Sequence, residues 1–462
     1  MKHWSAQRVA GSAGATLARE PEAGRAGGGP QRAAIDSRGA GPGDLFVGLP
    51  GENVDGGAFA ASALAAGAWG VLVEPRWAQE LLDEQVGPGA VIVSETPVPA
   101  LGALAKAWRQ DLAAHVIAVT GSVGKTSTKD LIAAMVAPHR SVAASRENFN
   151  TEIGLPLEVL AAPVGTEVLV LELAMRDFGQ ISELTAICEP DVGVVTNVGP
   201  VHLEQMGSLE GVARAKAELL EGLRDGASAV VPSDEPLLEP WLRDTLLVVT
   251  FGPGGDVSFE GSSLKSGRVP DAPPTRHVVL AGGERIELEL PFDQAHNLLN
   301  TLAAVAAVRA IGVRPDGRVD VRFSAMRGER VALGIGALVI NDCYNANPLS
   351  MRAALDDLSA QQAEGRRVAV LGDMLELGPG EREHHREIGA YAAAAGVDLL
   401  VTVGPRAAVM LEAFDGEAHA LLDAAEAAAL APELVRAGDV VLVKGSRGVG
   451  LEAVTQALQV GA

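Results

Sequence analysis

Residues 120–127 read TGSVGKTS, a glycine-flanked Lys-Thr between the apolar run HVIAVT and the helix-like TKDLIAAMVA. A strand that feeds such a loop and then a helix turns backbone N–H groups toward one point, where an anion is held. There Gly121, Ser122, Val123 and Gly124 can cradle phosphate, Lys125 can reach the β- and γ-phosphates, and Thr126, followed by Ser127, can offer a hydroxyl to Mg²⁺. The string departs from G-x-x-x-x-G-K-[ST], because position 119 is Val119. A plain turn between strand and helix would also read this way; the placement after a buried strand favours triphosphate. Glu172 ends a second apolar run, VLVLE, where a carboxylate needs a partner or a metal. Its oxygens are hard ligands suited to Mg²⁺, although a strand end facing water would also admit it.

Composition sets the limits. With 462 residues the chain exceeds one ordinary domain and suggests three. Hydrophobic residues at 48% and charged residues at 21% describe globular material. A net charge of −22 argues against a nucleic-acid or anionic-membrane binder, and 3% aromatics offer no stacking platform for single strands. A nucleotide remains compatible, since a few local donors can hold it. Cys188 and Cys343 make neither a disulfide framework nor a Cys-x-x-Cys zinc site. No apolar run reaches the roughly 18–20 residues of a membrane span, and MKHWSAQRVAGSAG lacks an apolar signal core, so a cytoplasmic protein is the expectation.

The elements that must position these residues are short apolar strands alternating with helical stretches. DLFVGL and WGVLVE flank a helical AFAASALAAGA, and residues 98–114 read as a helix into a second unit. HVIAVTG, EVLVLEL and DVGVVTNVG have the near-continuous hydrophobicity of a parallel sheet covered on both faces. Residues 20–35 and 252–290 read as loose, the latter from its Gly, Pro and Ser. DQAHNLLNTLAAVAAVRAIGV is a helix stopped at Gly312. From about residue 328, ALVIND, VAVLGD, DLLVTVG and DVVLVKGS predict a further α/β sheet.

TGSVGKTS resembles the shortened phosphate loop T-G-[ST]-x-G-K-[ST] of the Mur ligases and folylpolyglutamate synthases, in which Val119 is an ordinary strand residue. ENFNTEIGLPL (147–157) is similar to the Mur stretch N-x-N-N-x-I-G-x-P, with Asn148 and Asn150 matching and Thr151 in place of an Asn. TNVGPVHLEQMGSLEGVARAKAEL resembles the block in which His202 is a metal ligand. That block also makes Lys216 a lysine carbamylated by CO₂ that helps hold a second Mg²⁺. On its own, ARAKAEL also suits an amphipathic helix with a solvated lysine. AHNLLNTLAA resembles a helix start whose Asn297 contacts adenine; an N-cap is compatible with that role. In MRGERVAL the family places an arginine that reaches the nucleotide: Arg330 fits the spacing best, with Arg327 competing.

VINDCYNANPLSM resembles D-D-x-Y-N-A-N-P-x-S-M of the branch that adds D-alanyl-D-alanine, with Asn341 replacing the first Asp. There Asp342, Tyr344, Asn345 and Asn347 face the nucleotide and the incoming amine. VLGDMLELG, EHHREIG and VLVKGSRGVGLE match the same branch. IDSRGAGPGDLFVGLPGENVDGG resembles a uridine-nucleotide domain whose Ser37 and Arg38 take the diphosphate, although Gly57 stands where the family has His beside Asp55.

The resemblance implies an α/β protein of three domains. These are a uridine-nucleotide-binding domain (1–108), a central parallel-sheet ATPase domain (109–327) and a Rossmann-like C-terminal domain (328–462). It implies a monomeric ligase that uses ATP and two Mg²⁺ ions to join D-alanyl-D-alanine to UDP-N-acetylmuramoyl-tripeptide through an acyl phosphate, with Lys125, Lys216, His202 and Asp342 as the catalytic set. Diaminopimelate or lysine as third residue of the peptide stays open. A sister ligase adding that third residue lacks the Tyr-Asn-Ala-Asn-Pro string, and a folylpolyglutamate synthase lacks the uridine domain. A non-catalytic nucleotide-binding regulator would carry a decayed site, whereas every position here is chemically competent.

Overall fold

The computed structural model describes residues 1–22, 28–51, 53–146, 148–261 and 274–460. The chain folds into three sheets in sequence order. The first runs Thr16–Arg19, Ala90–Val93, Gly70–Val73, Asp44–Val47, Arg32–Ala34, parallel except for its first strand. Thus part of the stretch read as loose, residues 32–34, is paired strand, while 23–27 lie outside the described residues.

In the central sheet the parallel order is Val142–Ala144, Val168–Glu172, His115–Thr120, Val192–Val195, Ser228–Pro232, Leu247–Phe251, Val257–Phe259. An antiparallel extension corrects the reading of 252–290 as a loose excursion. Thr275–Ala281 and Glu284–Leu290 pair as a hairpin in that sheet. Its signal was the alternation of TRHVVLA and ERIELEL across Gly282-Gly283, both left-handed (φ 57° and 79°), as a two-residue hairpin turn requires. Residues 262–273 lie outside the described residues.

The third sheet runs Glu329–Ala332, Leu338–Asn341, Val440–Lys444, Arg367–Gly372, Leu399–Val403, Glu417–Leu421, with only the first strand antiparallel. Its four interior strands are the four expected from the sequence. The two edges, with mixed burial, carried no comparable apolar run.

Helices Lys125–Val136 and Ala295–Ala310 pack together over one face of the central sheet. The opposite face shares one core with the first unit: Trp4, Leu101, Leu104 and Trp108 are buried with Leu155 and Leu169. Trp108 lies on the helix Pro97–Leu112, which crosses the 108/109 boundary. Its ring meets Trp4 edge-on at 5.6 Å, and its Nε1 donates to the Ala162 carbonyl at 3.1 Å. Truncating a buried aromatic removes both transfer energy and packing. Trp108→Ala is therefore expected to destabilise the protein by about 3–5 kcal/mol, with the first and central units losing structure together in a denaturant titration.

Candidate functional site

Three loops leave the carboxyl edge of the central sheet side by side, after Thr120, Glu172 and Val195. The chain leaves Thr120 toward one side of the sheet and leaves Glu172 toward the other, and this reversal opens a crevice. Val119 is fully buried in the middle strand, paired with Glu172 and Val194, so a glycine there would serve no loop. Two glycines are required. Gly121, at φ 148°, would place a Cβ 1.9 Å from Thr196 Oγ1; Gly124, at φ 81°, would place one 2.4 Å from Asn300 Oδ1. The loop after Val195 braces the phosphate loop. Asn197 Oδ1 accepts from the Val123 amide at 3.0 Å, and Ser122 Oγ accepts from the Gly199 amide at 2.8 Å.

The first-turn N–H groups of Lys125–Val136 have no intrahelical acceptor by geometry, and Gly124 to Ser127 line a cavity of about 1220 Å³. Lys125 Nζ donates to the Gly121 carbonyl at 2.8 Å. Burial holds its pKa below the ordinary lysine value against the pull of Glu172, and Arg327 lowers it further. Glu172, 2% exposed, accepts from Thr126 Oγ1 at 2.7 Å and from Asn150 Nδ2 at 2.9 Å. A strand end facing water is thereby ruled out. Asn148 and Thr151 also line the cavity; Thr151 Oγ1 accepts from the Gly154 amide at 3.4 Å, a local turn contact open to threonine as well as asparagine. Glu147 lies outside the described residues.

Helix Leu209–Glu221, capped by Ser208, buries Lys216 to 3% exposure, so the solvated-lysine reading does not hold. Burial, aided by nearby Lys125, lowers the Lys216 pKa well below the ordinary value. Such an amine is unprotonated over much more of the neutral range than a surface lysine. His202 lines the cavity in a left-handed conformation, φ 51°, its pKa lowered by burial against the opposing effect of Glu376.

The third unit supplies the facing wall. Asp342 Oδ2 accepts from Lys444 Nζ at 2.6 Å, and the same ammonium donates to the Asn345 carbonyl at 3.0 Å. Asn345 Oδ1 accepts from the Ala346 amide at 2.8 Å. Asn347 also borders the cavity, but its side chain accepts from the Ser350 amide at 2.9 Å as the N-cap of Pro348–Ala360. Asn341, the departure from Asp-Asp, donates to Glu329 Oε2 at 3.1 Å across an antiparallel pair, where a second carboxylate would be repelled. Asn297 is buried in the cavity wall, accepting weakly from Asn300 at 3.3 Å.

Two expectations fare differently. Arg330, preferred by spacing, is held by buried Asp357 at 2.6 Å and does not line the cavity; Arg327 does, stacked over the Tyr344 ring at 4.0 Å with its Nε buried and without a hydrogen-bond partner among the described residues. Ser37 and Arg38 are not brought to this cavity. Arg38 is 89% exposed at its side chain and pairs with Asp36 at 2.7 Å. In that first unit a Cβ on Gly57 would lie 2.0 Å from the Trp77 ring, and Asp55 accepts from the Gly57 amide and Trp77 Nε1. Trp77 thus fills the space that a larger residue at position 57 would need. Sequence reading passed over Lys444, Glu376, Asn300 and Thr196. All four lie in strings that resemble the family, VLVKGSRGVGLE, VLGDMLELG, AHNLLNTLAA and TNVGPVHLEQ, without a role assigned to them, and Lys444 also ends the apolar strand VVLVK.

Mg²⁺ fits part of this set. A hydroxyl and a carboxylate in contact are hard oxygen donors, and Mg²⁺ characteristically takes one or two of these plus phosphate oxygens and water. Among the described residues no three His, Cys, Asp or Glu side chains cluster closely enough to hold a metal alone. A second ion at His202 therefore requires a further anion, which an unmodified Lys216 does not provide.

The chain matches the Mur ligase family over most of its length. Residues 32–108 match the Mur ligase family, catalytic domain; 119–308 the Mur ligase middle domain; 326–447 the Mur ligase, glutamate ligase domain. It is 35% identical to the UDP-N-acetylmuramoyl-tripeptide–D-alanyl-D-alanine ligase of Bacillus subtilis, over 92% of each chain. The enzyme of that name from Mycobacterium tuberculosis is 38% identical, over 92% of this chain and 91% of its own. The crystal structure of MurF from Acinetobacter baumannii superposes with a TM-score of 0.85 at 28% identity, covering 99% of this chain and 98% of that one. MurF ligase from Thermotoga maritima in complex with ADP gives 0.79 at 29% identity, covering 93% and 97%.

The two arginines separate experimentally. Arg327→Ala is expected to weaken ADP binding in calorimetry by about 1.5–3 kcal/mol, the worth of a hydrogen bond to a charged group. Arg330→Ala should leave ADP affinity unchanged but lower the unfolding free energy by about 3 kcal/mol, because Asp357 then stays buried without its cation.

Proposed function

This chain belongs to the Mur ligase family, and from that premise we propose that it joins D-alanyl-D-alanine to UDP-N-acetylmuramoyl-tripeptide while cleaving ATP to ADP and phosphate. The observation that carries this reading is a single cavity with the TGSVGKTS loop on one wall and Tyr344, Asn345 and Asn347 on the other. Nucleotide machinery from the central unit thereby meets the string of the dipeptide-adding branch. The enzyme acts as a monomer in the cytoplasm, in peptidoglycan precursor synthesis.

A carboxylate is a poor electrophile. The tripeptide carboxylate oxygen attacks the γ-phosphorus, the bond to the β-phosphate oxygen breaks, and an acyl phosphate and ADP form. The dipeptide amine then attacks the carbonyl carbon, the carbon–oxygen bond to phosphate breaks, and the nitrogen loses its proton. Positioning and charge neutralisation are the protein's share. Lys125 and Arg327 face the negative charge that builds on the phosphates, and Asn297 meets the adenine edge. Thr126 and Glu172 would hold one Mg²⁺, and His202 with modified Lys216 would hold a second. Bound there, Mg²⁺ supplies charge neutralisation and polarises the phosphoryl oxygens. The Lys216 amine adds to CO₂ and loses a proton, turning a potential cation into a carbamate anion. Asp342, tethered by Lys444, accepts from an N–H of the dipeptide amine and steers it toward the carbonyl. Ser37 and Arg38 hold the diphosphate of the UDP-sugar in the first unit.

With ATP, Mg²⁺ and the UDP-tripeptide, phosphate release is expected only on addition of D-alanyl-D-alanine. Equal turnover with a single amino acid such as lysine or diaminopimelate would place the chain in a sister branch. Lys216→Ala should lose most activity and regain part of it with bicarbonate or another short carboxylate; absence of any rescue would count against the carbamate. Because the neutral amine is the form that takes CO₂, carbamate occupancy should fall as pH drops through the lowered Lys216 pKa. Following that occupancy by carbon NMR with labelled bicarbonate checks the sign.

A further inference from the structure

One hydrogen bond joins the central and third units at the cavity in an unusual way. His202 Nδ1 lies 2.6 Å from Glu376 Oε2, which comes from the otherwise unassigned string VLGDMLELG. Both partners are non-glycine residues in the left-handed region, His202 at φ 51° and Glu376 at φ 63°. Such conformations are uncommon and persist where surrounding structure enforces them. The enforcement is visible on the Glu376 side. Met374 and Leu377 are buried in the third unit's core, and the Leu375 amide donates to Ser446 Oγ at 3.0 Å. Gly378, at φ 67°, lets the loop lie against the 203–204 backbone, since a Cβ there would sit 3.2 Å from Glu204 Cα. Arg176 Nε lies 3.9 Å from Glu376 Oε1, and Lys125 and Lys216 face His202 from the central unit.

We propose that Glu376 is a positioning residue that accepts the Nδ1 proton of His202 when the third unit docks, and so presents Nε2 as the metal-ligating nitrogen. The inference rests on the functional reading above and extends it: the site that activates the carboxylate is completed by a side chain from the domain that brings the amine. A histidine that ligates through one nitrogen commonly donates its other N–H to a carboxylate, which fixes tautomer and ring orientation. Because that carboxylate belongs to another domain, metal affinity rises only in the closed arrangement. Metal is then fully held only when the amine-binding wall is in place.

The test compares Glu376→Ala and Glu376→Gln with the unaltered full chain. Mn²⁺ binding is read by electron paramagnetic resonance with a non-hydrolysable ATP analogue, and Mg²⁺ is titrated in the phosphate-release assay. Glu376→Ala is expected to raise both metal concentrations at half-saturation about 10- to 100-fold, with an unchanged melting temperature. Glu376→Gln, whose amide oxygen still accepts from Nδ1, should stay close to the unaltered protein. Unchanged Mn²⁺ binding in Glu376→Ala overturns the proposal, and so does a Gln variant as impaired as the Ala variant. An unaltered protein that forms no amide from the two substrates overturns the functional reading instead, while the Mn²⁺ comparison still judges Glu376.

Discussion

A carboxylate buried at the end of an apolar strand must be given partners, and the cavity is organised around satisfying Glu172. Thr126 brings the start of the phosphate-loop helix to it, Asn150 brings the following asparagine loop, and Ser145 Oγ accepts from its backbone amide at 3.1 Å. Three separate segments are thereby fixed to one point within hydrogen-bonding distance. The same oxygens are hard donors, so the group that ties the loops together is also the group on which a magnesium ion would be placed.

A second constraint decides which parts can move as one. The first and central units share an apolar core through Trp4, Trp108 and the leucines around them. The third unit has its own cores and reaches the cavity through polar contacts: Arg327 over Tyr344, and Glu376 on His202. Polar contacts between units are replaced by water at small net loss, whereas opening a shared apolar core is costly. The third unit can therefore part from the other two at less cost than those two can part from each other.

Much of this was legible in the sequence. Near-continuous apolar runs located two interior strands of the first sheet, the three central-sheet strands that carry the site and all four interior strands of the third, because buried parallel strands leave no polar face to obscure the period. Family motifs brought Lys125, Thr126, Glu172, His202, Asn297 and Asp342 to notice, and these line one cavity, while Lys216 is buried near Lys125 without lining it. The hairpin at 275–290 was misread because its Gly-rich surroundings outweighed a clear alternation across two glycines. Arg330 was preferred over Arg327 because spacing along a chain does not report which guanidinium finds a buried carboxylate; Asp357, 27 residues away, decided it. Lys444 and Glu376 lie in matched strings, but their roles were not legible because their partners, Asp342 and His202, are distant in sequence. The role of Gly57 became clear only with Trp77 beside it.

On the proposed mechanism, this cavity activates a carboxylate by moving a phosphoryl group onto it. The most direct measurement uses UDP-tripeptide whose terminal carboxylate carries the heavy oxygen isotope. After turnover with ATP and D-alanyl-D-alanine, the released phosphate is examined by mass spectrometry. One labelled oxygen is expected in each phosphate, because the oxygen that attacked phosphorus leaves with it. Amide product accompanied by unlabelled phosphate would contradict it.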